Sequence, residues 1–140
     1  MEQLKAYQDV GKYSEVLGAS SQKQIEMLIV RAKSDIRGAM GAIEHQDVAT
    51  KCKCISNAHG IVSYLQECLN QNLKNDAETE LAQRLKAIFS HLETQLLKAN
   101  IESDMHTVPD PSGSLKLLQE CLVIMSNIQS WWEKVLEQPI

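Results

Sequence analysis

Four stretches of this chain carry apolar residues at helical spacing, and the polar punctuation between them marks where each begins. Ile25, Leu28, Ile29, Ala32, Ile36, Ala39, Met40 and Ile43 recur every three or four positions and fall in one stripe of a helix. Ser21 followed by Gln24 reads as a capping box just ahead of that stripe, so the first helix is predicted from about Gln22 to Glu44. Asp47 is placed to cap a second, from about Val48 to Asn72, whose main stripe is Val48, Ile55, Ala58, Val62, Leu69 and Leu73. Asn75-Asp76-Ala77-Glu78 resembles another capping box, opening a third helix to about Ala99 with a narrower face of Leu81, Leu85, Ile88, Leu92, Leu96 and Ala99. After the polar loop NIESDMHTVPDPSG, Asp110 and Pro111 supply an N-cap with proline at the first helical position. The last helix then runs to about Glu137 with Leu115, Leu118, Leu122, Met125, Trp132 and Leu136 on one face.

No segment alternates with period two over a useful length, so strands are not expected. The fold class is therefore all-α: an antiparallel up-and-down four-helix bundle over residues 21–138, with residues 1–20 as a short helical or extended cap, in one domain of 140 residues.

Two helices carry more apolar surface than one stripe. On the second, Cys54, Ile61 and Cys68 form an additional row at seven-residue spacing, and on the last Leu117, Ile124 and Trp131 do the same. On the first, Met27 and Val30 lie on the side away from the main stripe. A helix with neighbours on both sides needs a wide stripe, which accounts for single residues of this kind. Two whole extra rows exceed what a closed bundle of four is expected to use, so another helix, a second copy or a partner segment is expected to cover them. In that reading Ile61 is solvated in the free protein. The N-terminal stretch offers one cover of its own, because Leu4, Tyr7 and Val10 fall three apart and form one turn of apolar surface.

Composition narrows the function by exclusion. Apolar residues make up 44% of the chain but only six are aromatic, so aliphatic side chains carry the packing, as helices prefer. A formal net charge of −4 supplies no basic footprint for nucleic acid. The longest apolar run, Cys121 to Met125, is far short of a membrane span, so no membrane insertion is expected. Glu2 follows Met1 with no apolar leader behind it, which leads to the expectation of a cytoplasmic protein with reduced thiols.

Chemistry offers little. Cys52, Cys54 and His59 do not converge on one helix face, and the Glu-x-x-His signature of di-iron bundles is absent, so neither metal nor other cofactor is expected. No phosphate-binding loop or nucleophile motif occurs, which points away from an enzyme. His59 in Asn57-Ala58-His59-Gly60 supports the rival reading, a histidine phosphotransfer bundle, although Val62 and Ser63 stand where such domains set a lysine.

Several motifs together resemble one family. They are Ala6-Tyr7-Gln8, the helix opening QIEMLIVRA at Gln24 to Ala32, KAIFSHLETQLLKANIESD at Lys86 to Asp104, and a tryptophan late in the last helix. Over nearly the whole chain the sequence resembles the FliS family of flagellar export chaperones. It departs from the family pattern in having Ile29, Val30 and Arg31 where a Tyr-Asp-Gly run is usual, and Phe89 where tyrosine is usual.

The resemblance implies a non-enzymatic cytoplasmic chaperone. Its partner would be the C-terminal segment of flagellin, held back from premature polymerisation, with other flagellar export or regulatory proteins as further candidates. The free protein is expected to be a monomer or weak homodimer. Candidate partner-binding residues are Leu4, Tyr7, Gln8 and Val10 in the cap, Met27 and Val30 on the first helix, and Cys54, Ala58, Ile61, Leu65 and Cys68 on the second.

Overall fold

The computed structural model describes the backbone of residues 21–72, 76–102 and 112–137, and the side chains of residues 23–67, 83–101 and 112–134. Four helices account for nearly all of this: α1 (Ser21–Glu44), α2 (Val48–Asn72), α3 (Asp76–Glu102) and α4 (Ser112–Glu137). No strand occurs among the described residues.

The turn between α1 and α2 shows how local chemistry sets two helix ends at once. The Gln46 amide donates to the Ile43 carbonyl at 3.1 Å and the Asp47 amide to the Ala42 carbonyl at 2.8 Å, the crossed pair of bonds that closes a helix C-terminus. That closure needs a left-handed residue, and Gln46 supplies it with a φ of 58°. Asp47 then turns to the next helix. Its carboxylate accepts from the Thr50 amide at 3.1 Å and from the Thr50 hydroxyl at 2.6 Å, as an N-cap should. The Thr50 hydroxyl, and after it the Thr50 amide, hold the Asp47 carboxyl below its ordinary pKa. The caps expected at Ser21, Asn75 and Asp110 lie outside the described residues or side chains.

A three-residue connection folds α1 and α2 into an antiparallel pair. Gln66 donates to the Lys86 carbonyl and Lys51 to the Asn100 carbonyl, so α2 and α3 run in opposite directions as well. Ser114 near the start of α4 meets Ala99 near the end of α3, and Gln129 accepts from Lys33 of α1. Each helix packs on two neighbours in the cyclic order α1, α2, α3, α4, and among the described residues no contact spans a diagonal. The result is the antiparallel four-helix bundle expected from the sequence.

One end of the ring is tied by buried polar groups. The last four carbonyls of a helix have no partner within it. In α3 two of these are taken by side chains from both neighbours: Lys51 Nζ of α2 donates to the Asn100 carbonyl at 3.0 Å, and Ser114 Oγ of α4 donates to the Ala99 carbonyl at 2.9 Å. Lys51 is only 2% exposed and Ser114 fully buried. A cation at a helix C-terminus also meets the negative end of the helix dipole, which offsets part of its desolvation.

The core follows the predicted stripes on α1, where Leu28, Ile29, Ala32, Ile36, Ala39 and Ile43 are all buried. On α3 it is rotated. Leu85, Phe89, Leu92, Leu96 and Ala99 form the buried face, whereas Ile88, expected in the core, is 38% exposed. Val48, also expected inside, is exposed at the first turn of α2. On α4 Cys121 and Ile128 join Leu118 and Met125 at the centre.

Ser114→Ala removes the buried hydroxyl that donates to the Ala99 carbonyl and is expected to lower the unfolding free energy by about 1–3 kcal/mol in urea titrations. Gln46→Gly relieves the left-handed position and is expected to raise it by about 0.5–1 kcal/mol, measured the same way.

Candidate functional site

The extra apolar rows of α2 and α4 have different fates. Of the row on α2, Ile61 is consumed inside the monomer and Cys54 is half-buried. Ile61 is 0% exposed, as are Ala58 and Val62, and Leu65 is buried beside them. Cys54 presses against α1 so closely that a Cβ placed on Gly38 would come 3.0 Å from its sulfur. The expectation that Ile61 is solvated in the free protein is therefore corrected. The reason is the ring: α2 packs on both α1 and α3, so a wider arc of its surface, Ile61 included, is internal. Cys68 lies beyond the described side chains, and Leu4, Tyr7, Gln8 and Val10 beyond the described residues. Met27 and Val30 of α1 are exposed, as expected of them.

The row on α4 is only half consumed. Leu117, Ile124 and Trp131 pack against the core at their inner edges, but Ile124 and Trp131 also line an open groove between α3 and α4. This groove encloses about 620 Å³. Its α3 wall is Arg84, Leu85, Ala87, Ile88 and His91, and its α4 wall is Ile124, Asn127, Ile128 and Trp131. The rotation of the α3 core makes it. With Leu85, Phe89, Leu92, Leu96 and Ala99 in unbroken four-three spacing, Ile88 sits about 60° to one side, where it widens the apolar surface toward α4. Trp131 stands at one end, its ring 5.8 Å from that of Trp132 and inclined at 52°.

The sequence marks Leu117, Ile124 and Trp131 as a spare apolar row but places none of them among the candidate partner-binding residues; Ile124 and Trp131 line the groove, and the α3 wall is not announced by its predicted stripe. Phe89 was the available signal. Taken with Leu85, Leu92, Leu96 and Ala99 it defines a complete heptad face that leaves Ile88 outside.

Among the described residues nothing resembles a catalytic constellation. The His59 Nε2 lies 4.0 Å from Glu93 Oε2 of α3, and Ser63 donates to the same carboxylate at 3.4 Å. A carboxylate at that distance repels the dianionic phosphoryl group that a phosphotransfer histidine carries, so His59 is better placed to join α2 and α3 than to accept phosphate. Among the described residues no group of three or more His, Cys, Asp or Glu side chains is placed to hold a metal ion. Cys52, Cys54 and Cys121 are free thiols. Burial, and secondarily Glu120, pushes the Cys121 thiol up to about 12, and burial with Asp35 raises that of Cys54, so both are held in the unreactive protonated form. No helix among the described residues is long and apolar enough to cross a membrane.

What the arrangement offers is an elongated apolar slot between two helices with polar groups at its edges, a shape suited to an amphipathic helix. Similar proteins are known by name. The pattern of the family described as flagellar protein FliS matches residues 3–139. The flagellar secretion chaperone FliS of Salmonella typhimurium is 27% identical over 132 residues, which cover 94% of this chain and 88% of that protein. That of Escherichia coli is 27% identical over 134 residues, 96% of this chain and 89% of the relative. The flagellar secretion chaperone FliSB of Pseudomonas aeruginosa is 25% identical over 135 residues, 96% of each. These relatives are named as chaperones and not as enzymes.

The buried position of Ile61 gives a direct expectation. Ile61→Glu places a charge in the core and should cost at least about 3 kcal/mol, seen as a large loss of helical circular dichroism or of melting temperature.

Proposed function

This chain belongs to the flagellar protein FliS family, and from that premise we propose that it is an export chaperone for flagellin, acting in the cytoplasm by holding the flagellin C-terminal segment. The observation that carries this reading is the apolar groove between α3 and α4. A flagellin terminal segment that must later join a helical assembly presents an apolar face that is unsafe in free solution. Docking that face against Ile88, Ile124, Ile128 and Trp131 removes it from water and from other flagellin chains. The segment orders as it binds, and that entropic cost keeps the complex reversible, as release for export requires.

No chemical step is involved. Apolar burial supplies the attraction, at roughly 25 cal/mol per Å² removed from water, and the exposed edges of the groove set direction and register. Met27 and Val30 on the outer surface of α1 give a second exposed apolar contact for a segment long enough to wrap the bundle. The N-terminal stretch with Leu4, Tyr7, Gln8 and Val10 serves in this proposal as a displaceable cover, its tyrosine combining apolar area with a hydroxyl that satisfies a polar group. Residues 1–20 are thus the cap and residues 21–138 the holding bundle of one chaperone domain.

Ile88 is the informative probe, because at 38% exposure a glutamate there stays hydrated in the free protein and must be desolvated only in the complex. Ile88→Glu should retain its helicity and melting temperature while its affinity for a flagellin C-terminal fragment falls at least about tenfold, or ~1.4 kcal/mol, in isothermal titration. Binding to the parent protein should also change the intrinsic fluorescence, since Trp131 lines the groove and Trp132 adjoins it. An Ile88→Glu protein that binds the fragment at full strength would move the docking surface away from this groove.

A further inference from the structure

The charge along the edges of the groove is not that of the molecule. The chain carries a formal net charge of −4, yet the groove lining contains Arg84 and His91 and no carboxylate. Arg84 and His91 stand seven residues apart on α3, two turns or about 10 Å along its axis, and Lys98 continues the same row after another seven. All three are exposed. Their row follows the outer edge of the α3 wall, with Ile88 on the groove side between the first two. On α4 the lining contributes Asn127 at the corresponding edge, and beyond the lining the same edge carries Lys116, Glu120 and Lys134, among the described residues. A chain of net negative charge thus sets basic side chains along the α3 wall of this apolar groove, opposite an α4 wall whose lining is uncharged.

Such a frame discriminates among apolar helices that would otherwise fit equally. A partner helix lying in the groove keeps its apolar row against Ile88, Ile124, Ile128 and Trp131, and its flanking positions then fall opposite the α3 row. Carboxylates at those positions gain the attraction of Arg84 and can accept a hydrogen bond from the His91 imidazole, while lysines there meet the like charge of Arg84 in a partly desolvated rim. Because both rows are helical, the match repeats every seven residues on each side.

We propose that Arg84, His91 and Lys98 are specificity-determining residues that select an amphipathic partner helix bearing carboxylates seven residues apart along the edge that meets α3. This rests on the reading that the groove holds a partner segment, and deepens it by naming the chemistry of that segment. The selectivity is modest per contact and resides mainly in encounter rate and orientation, so it fixes which way the helix lies as well as which helix is taken.

Two synthetic amphipathic peptides of about 18 residues, five turns, with the same apolar row test it. One carries glutamate and the other lysine at two edge positions seven residues apart. At low ionic strength the intact protein should bind the glutamate peptide roughly tenfold tighter, and the ratio should shrink toward one as salt screens the rim. The Arg84→Glu, Lys98→Glu double variant should reverse the preference, and Arg84→Gln alone should reduce it, with circular dichroism confirming that each is folded. Equal affinity for the two peptides in the parent protein, together with loss of both in Ile88→Glu, overturns the charge selection and leaves the groove standing. Unchanged binding of both peptides in Ile88→Glu overturns the groove itself, and the selection with it.

Discussion

Closure of four helices into a ring is the constraint on which the other features rest. In a ring each helix has two neighbours, so it must present two apolar flanks as well as a central stripe, and the amount of surface left over is set by the pairing and not by any helix alone. Shared polar groups reinforce the closure where α3 ends. The carbonyls of Ala99 and Asn100 accept from Ser114 and Lys51, which come from the helices on either side. A buried lysine is tolerated there because its ammonium sits at the carbonyl end of a helix, where both a hydrogen bond and the helix dipole replace lost water.

The same constraint explains why one wide helix hides its second row and another does not. α2 lies against α1 through Cys54 and against α3 through His59 and Gln66, and its Ile55, Ala58, Ile61, Val62 and Leu65 are buried. Between α3 and α4 an open groove remains above the core, where Phe89 and not Ile88 fills the centre. Ile88, Ile124 and Trp131 are left as the sides of a slot. In the proposed function this slot is the surface that takes up the partner segment, apolar enough to attract it and narrow enough to hide it from a second copy.

Much of the fold was legible in the sequence. The α2 boundaries, Val48 to Asn72, coincide with those expected from Asp47 as a cap, and the other helices begin or end within a few residues of their expected limits. Asp47 could be read because its hydrogen bonds are local, reaching only three residues ahead. Gln46 could not, since the left-handed position is usually announced by glycine or asparagine and here a glutamine is held there by the two crossed backbone bonds. Of the candidate site residues, Met27 and Val30 are exposed, whereas Ala58, Ile61 and Leu65 are core.

Helix periodicity is a property of one chain segment in isolation, and the sequence determined it alone: which residues lie on a common face, where helices start, and that the helices carry more apolar surface than one stripe. It also held the motifs that resemble the flagellar chaperone family, because a resemblance is a comparison of residue order. Which apolar row is covered depends on distances between segments far apart in the chain, as between Gly38 and Cys54 or Ile88 and Trp131. Only the tertiary structure decided that, by placing α2 between two close neighbours and leaving a gap between α3 and α4, since burial is a relation between helices that no single helix contains.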